Sequence, residues 1–448
     1  MNPNEKLESW LKKNNVVEVE CLIHDMTGNA RGKLMSVDKM LSYDQRLPES
    51  LLLQTVTGEF CDAHDELVSP SDQDMRIVPD ASSVRLVPWN RKPTAQVIHD
   101  CLTHDGSKLH SLSSRNVLKR VLAAYREAGL TAIVAPEVEC YLINKSVDST
   151  NVIIPPIGTS GRRENVRKSY SIDAMYEFDA FLETVNNYCR IMDLDIDSMI
   201  HEEGAAQLEI NFFHGEPLSL ADQVTTLKRA LRQAAMSHDM HLTFMAKPMD
   251  NEPGSSMHIH QSILNTETGK NIFINEDGTK SDAFFHYIAG LQKYTPDLLS
   301  FYAPNVNSYR RYVKDSSVPN NMHWGYDNRT TGIRIPDAHG EATRVENRFS
   351  GIDANTYLAF AVSLASGLVG IQKKLQPTEP YKGNAGMEES TLSRTLVDAV
   401  SGLEELDEIA DLLGRDFIRA YREIKLSEFD EFDKVVTSWE REYLLLTV

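Results

Sequence analysis

Hydrophobic positions in the first hundred residues fall in short runs or in alternation with polar ones, and turn formers close each run. Residues 16–24, 32–37, 51–57, 83–87 and 94–99 are β-branched or alternating segments, which predicts strands. Only residues 5–14 have a helical spacing there. The pattern predicts a small β-rich domain ending near residues 101–108. From residue 113 the period changes. Residues 113–130 form an amphipathic helical pattern with Ser113 or Ser114 in a capping position. Helical periodicity returns at 173–192, 220–238, 282–294 and 355–374, and from Met387 onward. Segments rich in Gly, Asn and Asp at 265–278 and 310–328 predict loops, the second long enough to be functional. At 448 residues the chain exceeds the size of a usual single core, which agrees with two domains, 1–108 and 109–448.

Between the helical segments lie four strand-like segments. Successive side chains in a strand face opposite ways, so residues i and i+2 share a face. In 132–143 this phase pairs Glu137 with Glu139. In 206–212 it groups Gln207, Glu209 and Asn211, with Leu208 and Ile210 opposite. In 256–263 it groups His258, His260 and Ser262, with Met257, Ile259 and Ile263 opposite. In 342–349 it groups Arg344, Glu346 and Arg348. One such strand alone reads most simply as a half-exposed antiparallel strand with a wet face. Four of them, carrying Glu, His and Arg almost without Lys, suit an oxygen- and imidazole-rich metal site flanked by anion-binding arginines. Carboxylates sharing a cavity raise one another's pKa unless cations bind there. Mg²⁺ or Mn²⁺ takes carboxylate oxygens and bridges nucleotide phosphates. Arginine grips carboxylate and phosphate in a two-pronged fork that lysine lacks. The combination implies metal-assisted phosphoryl chemistry on an anionic substrate. No GxxxxGKS loop and no kinase glycine loop is present, and GTSG at 158–161 reads as a plain turn.

Charge narrows the partners. Against 46 Lys and Arg stand 65 Asp and Glu, a net charge of −19, which disfavours nucleic acid and anionic membranes. The longest apolar run, 357–371, is broken by Ser363, Ser366 and Gly367. It falls short of the ~20 residues that span a bilayer and predicts a buried core helix. The five cysteines are scattered without ligand spacing, and the N-terminus lacks the apolar core of a signal peptide. A cytoplasmic protein with reduced thiols is expected.

The polar strands stand within blocks that resemble, in order, the signatures of the glutamine synthetase family: PEVECYL, HEEGAAQLEINFF, KPMDNEPGSSMHIHQS, NSYRR, NRTTGIRIP and ATRVENRF. The likeness covers roughly residues 16–376. It implies an α+β fold, with a β-grasp-like N-terminal domain and a catalytic domain whose curved antiparallel sheet forms a half-barrel with helices outside. It implies ATP and two ions of Mg²⁺ or Mn²⁺ per site. Glu139, Glu202 and Glu209 would hold one ion, and Glu137, His258 and Glu346 the other. Glutamate would be gripped by Arg311 and Arg348, with the backbone of Gly254 helping. Arg329, Arg334 and Arg344 would sit on phosphates, and His260 and Ser262 along the nucleotide. Arg329, Arg311, Glu139 and Asp315 would be the catalytic group, Asp315 as a candidate base for the amine. The loop 312–326 would cover an acyl-phosphate intermediate. Assembly as a homo-oligomer, a dodecamer of two six-membered rings with shared active sites, is also implied.

The sequence departs from ammonia-using members of that family. Ser317 stands where they carry an acidic residue, and the segment ESLLLQTVTG at 49–58 contains no aspartate. Pro253 replaces the usual Asn. Losing both anionic contacts favours a larger amine over ammonium. The patterns VTGE, PGSSMHIH and WGYDNRT look like the branch that makes γ-glutamyl-polyamines or γ-glutamyl-monoamines, so glutamate and a small amine such as putrescine are the expected substrates. The alternatives are an authentic glutamine synthetase and a non-catalytic structural assembly; the second is disfavoured because all six ligand positions are filled.

Overall fold

The computed structural model describes residues 3–42, 44–61, 63–145, 152–313 and 318–448. A first sheet contains β1 (Glu18–His24), β2 (Ala30–Ser36), β3 (Gln45–Pro48), β4 (Asp74–Pro79), β5 (Arg85–Leu86) and β6 (Thr94–Leu102). Its order is β2-β1-β6-β4-β3, with β5 on β6. β1 and β6 run parallel at its centre. Their apolar residues Val19, Cys21, Ile23, Ala95, Val97 and Ile98 are buried, as expected of central parallel strands. The expected strand at 51–57 is corrected by the structure. Glu49–Leu53 is a 3-10 helix followed by a turn. Its polar groups find local partners instead of a ladder: Asp72 accepts from Ser50 N and Oγ, and Glu49 accepts from Ser69 N.

A second sheet has β7 (Leu130–Asn144), β8 (Ile196–His201), β9 (Gln207–Phe212), β10 (Met240–Thr243), β11 (Met257–Asn265), β12 (Trp324–Tyr326), β13 (Ile333–Ile335) and β14 (Val345–Asn347). Its order is β12-β13-β14-β11-β7-β9-β8, with β10 pairing β7. Every ladder is antiparallel except β12–β13. Helices Ser114–Glu127 and Pro217–Ser237 pack against β7, covering its apolar residues Val138, Cys140 and Leu142. The predicted helix at 173–192 is two helices, Ile172–Tyr176 and Asp179–Ile191.

The apolar run at 357–371 is a core helix, Thr356–Lys373, buried from Thr356 to Gly370. It crosses helix Asp282–Tyr294 where glycine meets glycine. A Cβ on Gly290 would stand 2.1 Å from the Ser366 carbonyl oxygen, so the two backbones require glycine there. No helix among the described residues is long and apolar enough to cross a membrane. The two sheets are locked together through Arg115, which donates to Asp80 before β5, Asp100 on β6 and Asp222 on helix Pro217–Ser237.

Candidate active site

Strand register, more than any loop, assembles the polar side chains. Across β7 and β11, Glu137 lies opposite His258. Across β7 and β9, Glu137 faces Asn211 and Glu139 faces Glu209. Across β11 and β14, His260 faces Glu346, and Glu346 in turn faces Arg334 on β13. The alternating residues Val138, Ile210, Ile259 and Val345 point the other way and are buried in the core. Five adjacent strands therefore present one acidic, imidazole and guanidinium face.

On that face Glu137 accepts from both histidines: Oε2 from His258 Nδ1 at 3.0 Å and Oε1 from His260 Nε2 at 2.8 Å. Arg344 Nε donates to His260 Nδ1 at 3.2 Å, which fixes that ring's tautomer with its proton on Nε2. Glu346 lies 3.9 Å from His258 Nδ1 and accepts from Arg334 at 2.7 Å and Arg348 at 2.6 Å. Glu139 accepts from Ser256 N at 2.8 Å and Gln207 Nε2 at 3.2 Å. Oxygens of Glu139, Glu202 and Glu209 lie within 4.8 Å of one another, and the same holds for ligand atoms of Glu137, Glu209 and His258, and of Glu137, His260 and Glu346. Glu139, Glu202 and Glu209 group as expected, but the other expected trio is divided: His260, not His258, groups with Glu137 and Glu346, and His258 groups with Glu137 and Glu209. The donor set of carboxylate oxygens and imidazole fits a divalent cation.

Electrostatics divide the face. Burial, then the charges of Glu209 and Glu202, push Glu139 well above the carboxylate range. Burial, then Glu137 and Glu202, push Glu209 up to about 8. Burial also raises Glu202. On the other side, burial of Glu346 is outweighed by Arg348 and the two histidines, which hold it at about 2. Burial of Glu137 is likewise outweighed by its two histidine hydrogen bonds, and its pKa is depressed. One half of the face has carboxylates short of positive charge, and the other half has its carboxylates satisfied.

Arg311 ends the 3-10 turn Val306–Arg311 and is 1% exposed. Its Nη2 donates to Ser256 Oγ at 2.6 Å and to the Ser350 carbonyl at 3.4 Å. Gly254 packs directly on it: a Cβ there would stand 2.7 Å from Arg311 Cγ and 2.8 Å from the Ala246 carbonyl oxygen. Arg348, on the same face as Glu346, is buried. Ser262 lies two residues beyond His260 on the same face and is half-buried. Arg329 is not drawn in. It is exposed on the turn after β12, with no hydrogen bond or ion pair among the described residues. Asp315 and Ser317 lie outside the described residues, as does part of the covering loop expected at 312–326.

Sequence periodicity missed Glu164. Its Oε2 accepts from Ala206 N at 2.6 Å and His201 Nε2 at 3.0 Å, bracketing the turn that carries Glu202. Glu164 sits in an irregular stretch, and the only signal available was one acid among the bases of RRENVRK.

Known proteins resemble the chain along its length. The glutamine synthetase catalytic domain matches residues 111–444. A glutamate–isopropylamine ligase from Pseudomonas sp is 32% identical, covering 97% of this chain and 96% of that protein. The γ-glutamylputrescine synthetase PuuA of Escherichia coli is 31% identical over 96% and 92% of the two chains, and the γ-glutamylethanolamide synthetase GlnA4 of Streptomyces coelicolor is 31% identical over 97% and 94%. The solved structure of GmaS without ligand superposes with a TM-score of 0.84 at 26% identity, covering 98% of this chain and 99% of that one. With the acidic and arginine face, the domain match and these full-length likenesses together, the chain belongs to the glutamine synthetase family.

Proposed function

We propose that the chain is an ATP-dependent ligase that joins the γ-carboxylate of glutamate to an organic amine, a monoamine or polyamine such as putrescine in preference to ammonium. The observation that carries the ligase reading is the convergence of Glu137, Glu139, Glu202, Glu209, His258 and Glu346 beside Arg311, Arg334, Arg344 and Arg348. Full-length relatives named as isopropylamine, putrescine and ethanolamine ligases support an organic acceptor. So does the segment 49–58. Its one acid, Glu49, is already engaged by Ser69 N and, at 3.3 Å, His110 Nε2, so it is a poor anionic contact for ammonium.

In this reading Arg311 and Arg348 hold the carboxylates of glutamate, and Arg334 and Arg344 face the phosphates. Two divalent cations, when bound by the two carboxylate groups, would neutralise phosphate charge during transfer. The γ-carboxylate attacks the γ-phosphate of ATP, giving γ-glutamyl phosphate and ADP. An uncharged amine then attacks the acyl carbon, and phosphate leaves. The fixed guanidinium groups favour the developing charge without reorganising. His260 is oriented by Arg344 on one nitrogen and Glu137 on the other, and so keeps Glu137 ionised. The division at residues 108/109, a cytoplasmic location and assembly into two six-membered rings belong to the same proposal; mass measurement in solution tests the last.

A second reading is an authentic glutamine synthetase. It is favoured by likeness to glutamine synthetases, 31% identity to that of Halobacterium salinarum over 84% of this chain and 30% identity to that of Methanococcus maripaludis over 99% of it. ADP release with glutamate and a panel of ammonium, isopropylamine, ethanolamine, putrescine and spermidine decides between them. Turnover fastest with one of the organic amines is expected. Turnover faster with ammonium than with every organic amine would establish the second reading.

A further inference from the structure

Behind the catalytic sheet lies a cavity of about 500 Å³ between the β1–β2 turn, helix Pro217–Ser237 and the backbone at 352–356. Its lining is cationic on a chain of net charge −19: Lys228, Arg229, Arg232 and Lys425 face one carboxylate, Asp353. Two of these cations are compensated elsewhere, Arg229 by Glu20 at 2.6 Å and Lys425 by Glu428 at 2.7 Å. Lys228 and Arg232 form no ion pair among the described residues. They are one helical turn apart, a like-charge pair that destabilises a helix. Both stand over the Phe244 ring, at 5.5 Å and 4.9 Å from its centroid. Burial, then the charge of Arg232, push Lys228 down to about 7. Burial, then Arg229, Arg115 and Lys228, push the adjoining His24 down to about 3. Among the lining residues the cations thus outnumber the carboxylates four to one, and Asp353, the one carboxylate, only partly offsets the effect of burial and Arg232 on Lys228.

The same wall carries the support of Arg311. Lys228 Nζ donates to the Ile352 carbonyl at 2.6 Å and the Ala354 carbonyl at 3.4 Å. Three and two residues before Ile352, the carbonyls of Phe349 and Ser350 accept from Arg311 at 3.4 Å each. Asp353 Oδ2 accepts from Ser308 Oγ at 2.6 Å and Asn305 Nδ2 at 2.8 Å, tying the turn that bears Arg311 to the same segment.

We propose that this cavity is an effector site for a compact dianion, a dicarboxylate or a phosphate, held between Lys228 and Arg232, and that its occupancy loosens the grip of Arg311 on glutamate. An anion competes with Ile352 and Ala354 for the Lys228 ammonium. Releasing those carbonyls frees the segment on which Arg311 rests. The inference goes beyond the ligase reading, and its binding half needs no turnover.

The full chain, with Mg²⁺, glutamate and a non-hydrolysable ATP analogue saturating the catalytic face, is titrated calorimetrically at constant ionic strength. One arm uses succinate and the other inorganic phosphate. A saturable event is expected in at least one arm, weakened at least tenfold in Arg232→Gln and in Lys228→Gln. Arg232 is exposed, so its replacement should leave the fold intact, and Lys228→Gln is checked by circular dichroism. The anion should also raise the glutamate KM at least threefold in the unaltered protein and not in Arg232→Gln. Absence of saturable binding in both arms, or unchanged affinity in Arg232→Gln, overturns the site. Binding lost in Arg232→Gln while the KM effect persists overturns the coupling.

Discussion

Glu139 and Glu209 are in-register partners across β7 and β9, two carboxylates set directly opposite each other in a buried face. Like charges so placed destabilise a ladder, and both pKa values are raised. The site is therefore built to a cost that a bound cation relieves. Mg²⁺ or Mn²⁺ should raise the melting temperature, and an excess of chelator should lower it; at a hundred times the dissociation constant the gain is about 2.7 kcal/mol. Glu139→Gln should melt higher than the unaltered protein when both are metal-free, lose most of the metal increment, and lose turnover. A metal-free Glu139→Gln that melts lower than its parent would show that the opposed carboxylates are not the source of the cost.

The catalytic face was legible because period-2 placement of Glu, His and Arg survives translation into strands. Glu137, Glu139, Glu209, His258, His260 and Glu346 all lie where alternation places them. Other elements were masked by competing interactions. The helical spacing of Ala174, Phe178, Phe181, Val185 and Cys189 runs through the break near Glu177. The chain turns there because the Glu177 carbonyl accepts from Thr159 N at 2.9 Å, a partner far off in sequence. β4 alternates cleanly, with Met75 and Ile77 inward, but Asp74 and Pro79 are poor strand formers. β3 has only four residues and ends on Pro48. Residues 342–349 yield a strand only at Val345–Asn347, because Phe349 N turns back to Asn347 Oδ1 at 3.0 Å. The Lys228–Arg232 pair was invisible, since only folding brings it against residues 352–354.

Glu164 bears on the acidic face through the turn of residues 202–206, not by touching its carboxylates. Its one oxygen takes Ala206 N and His201 Nε2, on either side of Glu202 and close to Glu209. Ala206 has a positive φ of 58°, so the turn leans on this clamp. Glu164→Ala should raise the metal concentration for half-maximal activity at least tenfold while changing the ATP KM less than threefold. Glu164→Gln keeps a carbonyl acceptor and should recover most of the loss. An equal loss in both variants, or an unchanged metal requirement with lowered kcat, would reduce Glu164 to a general structural residue.

Acid should destabilise the fold through histidines far from the catalytic face. His99 on β6 is 1% exposed; Nδ1 donates to the Val97 carbonyl at 2.9 Å, and Nε2 is buried without a partner. Burial holds its pKa near 4, and that of His24 near 3. Both lie below the unfolded value of about 6.5, so between these values the unfolded chain binds protons that the folded chain refuses. Stability from these groups is complete above about pH 6.5, falls as the pH drops, and stops changing below the folded values; for His99 the total is on the order of 3 kcal/mol. The raised Glu209 works in the opposite sense, so the measurement belongs in saturating Mg²⁺. Urea midpoints taken from pH 7.5 to pH 5 should decline, and the decline should be shallower in His99→Gln by about one proton's share. Parallel slopes in the two proteins would mean that His99 is protonated as easily folded as unfolded.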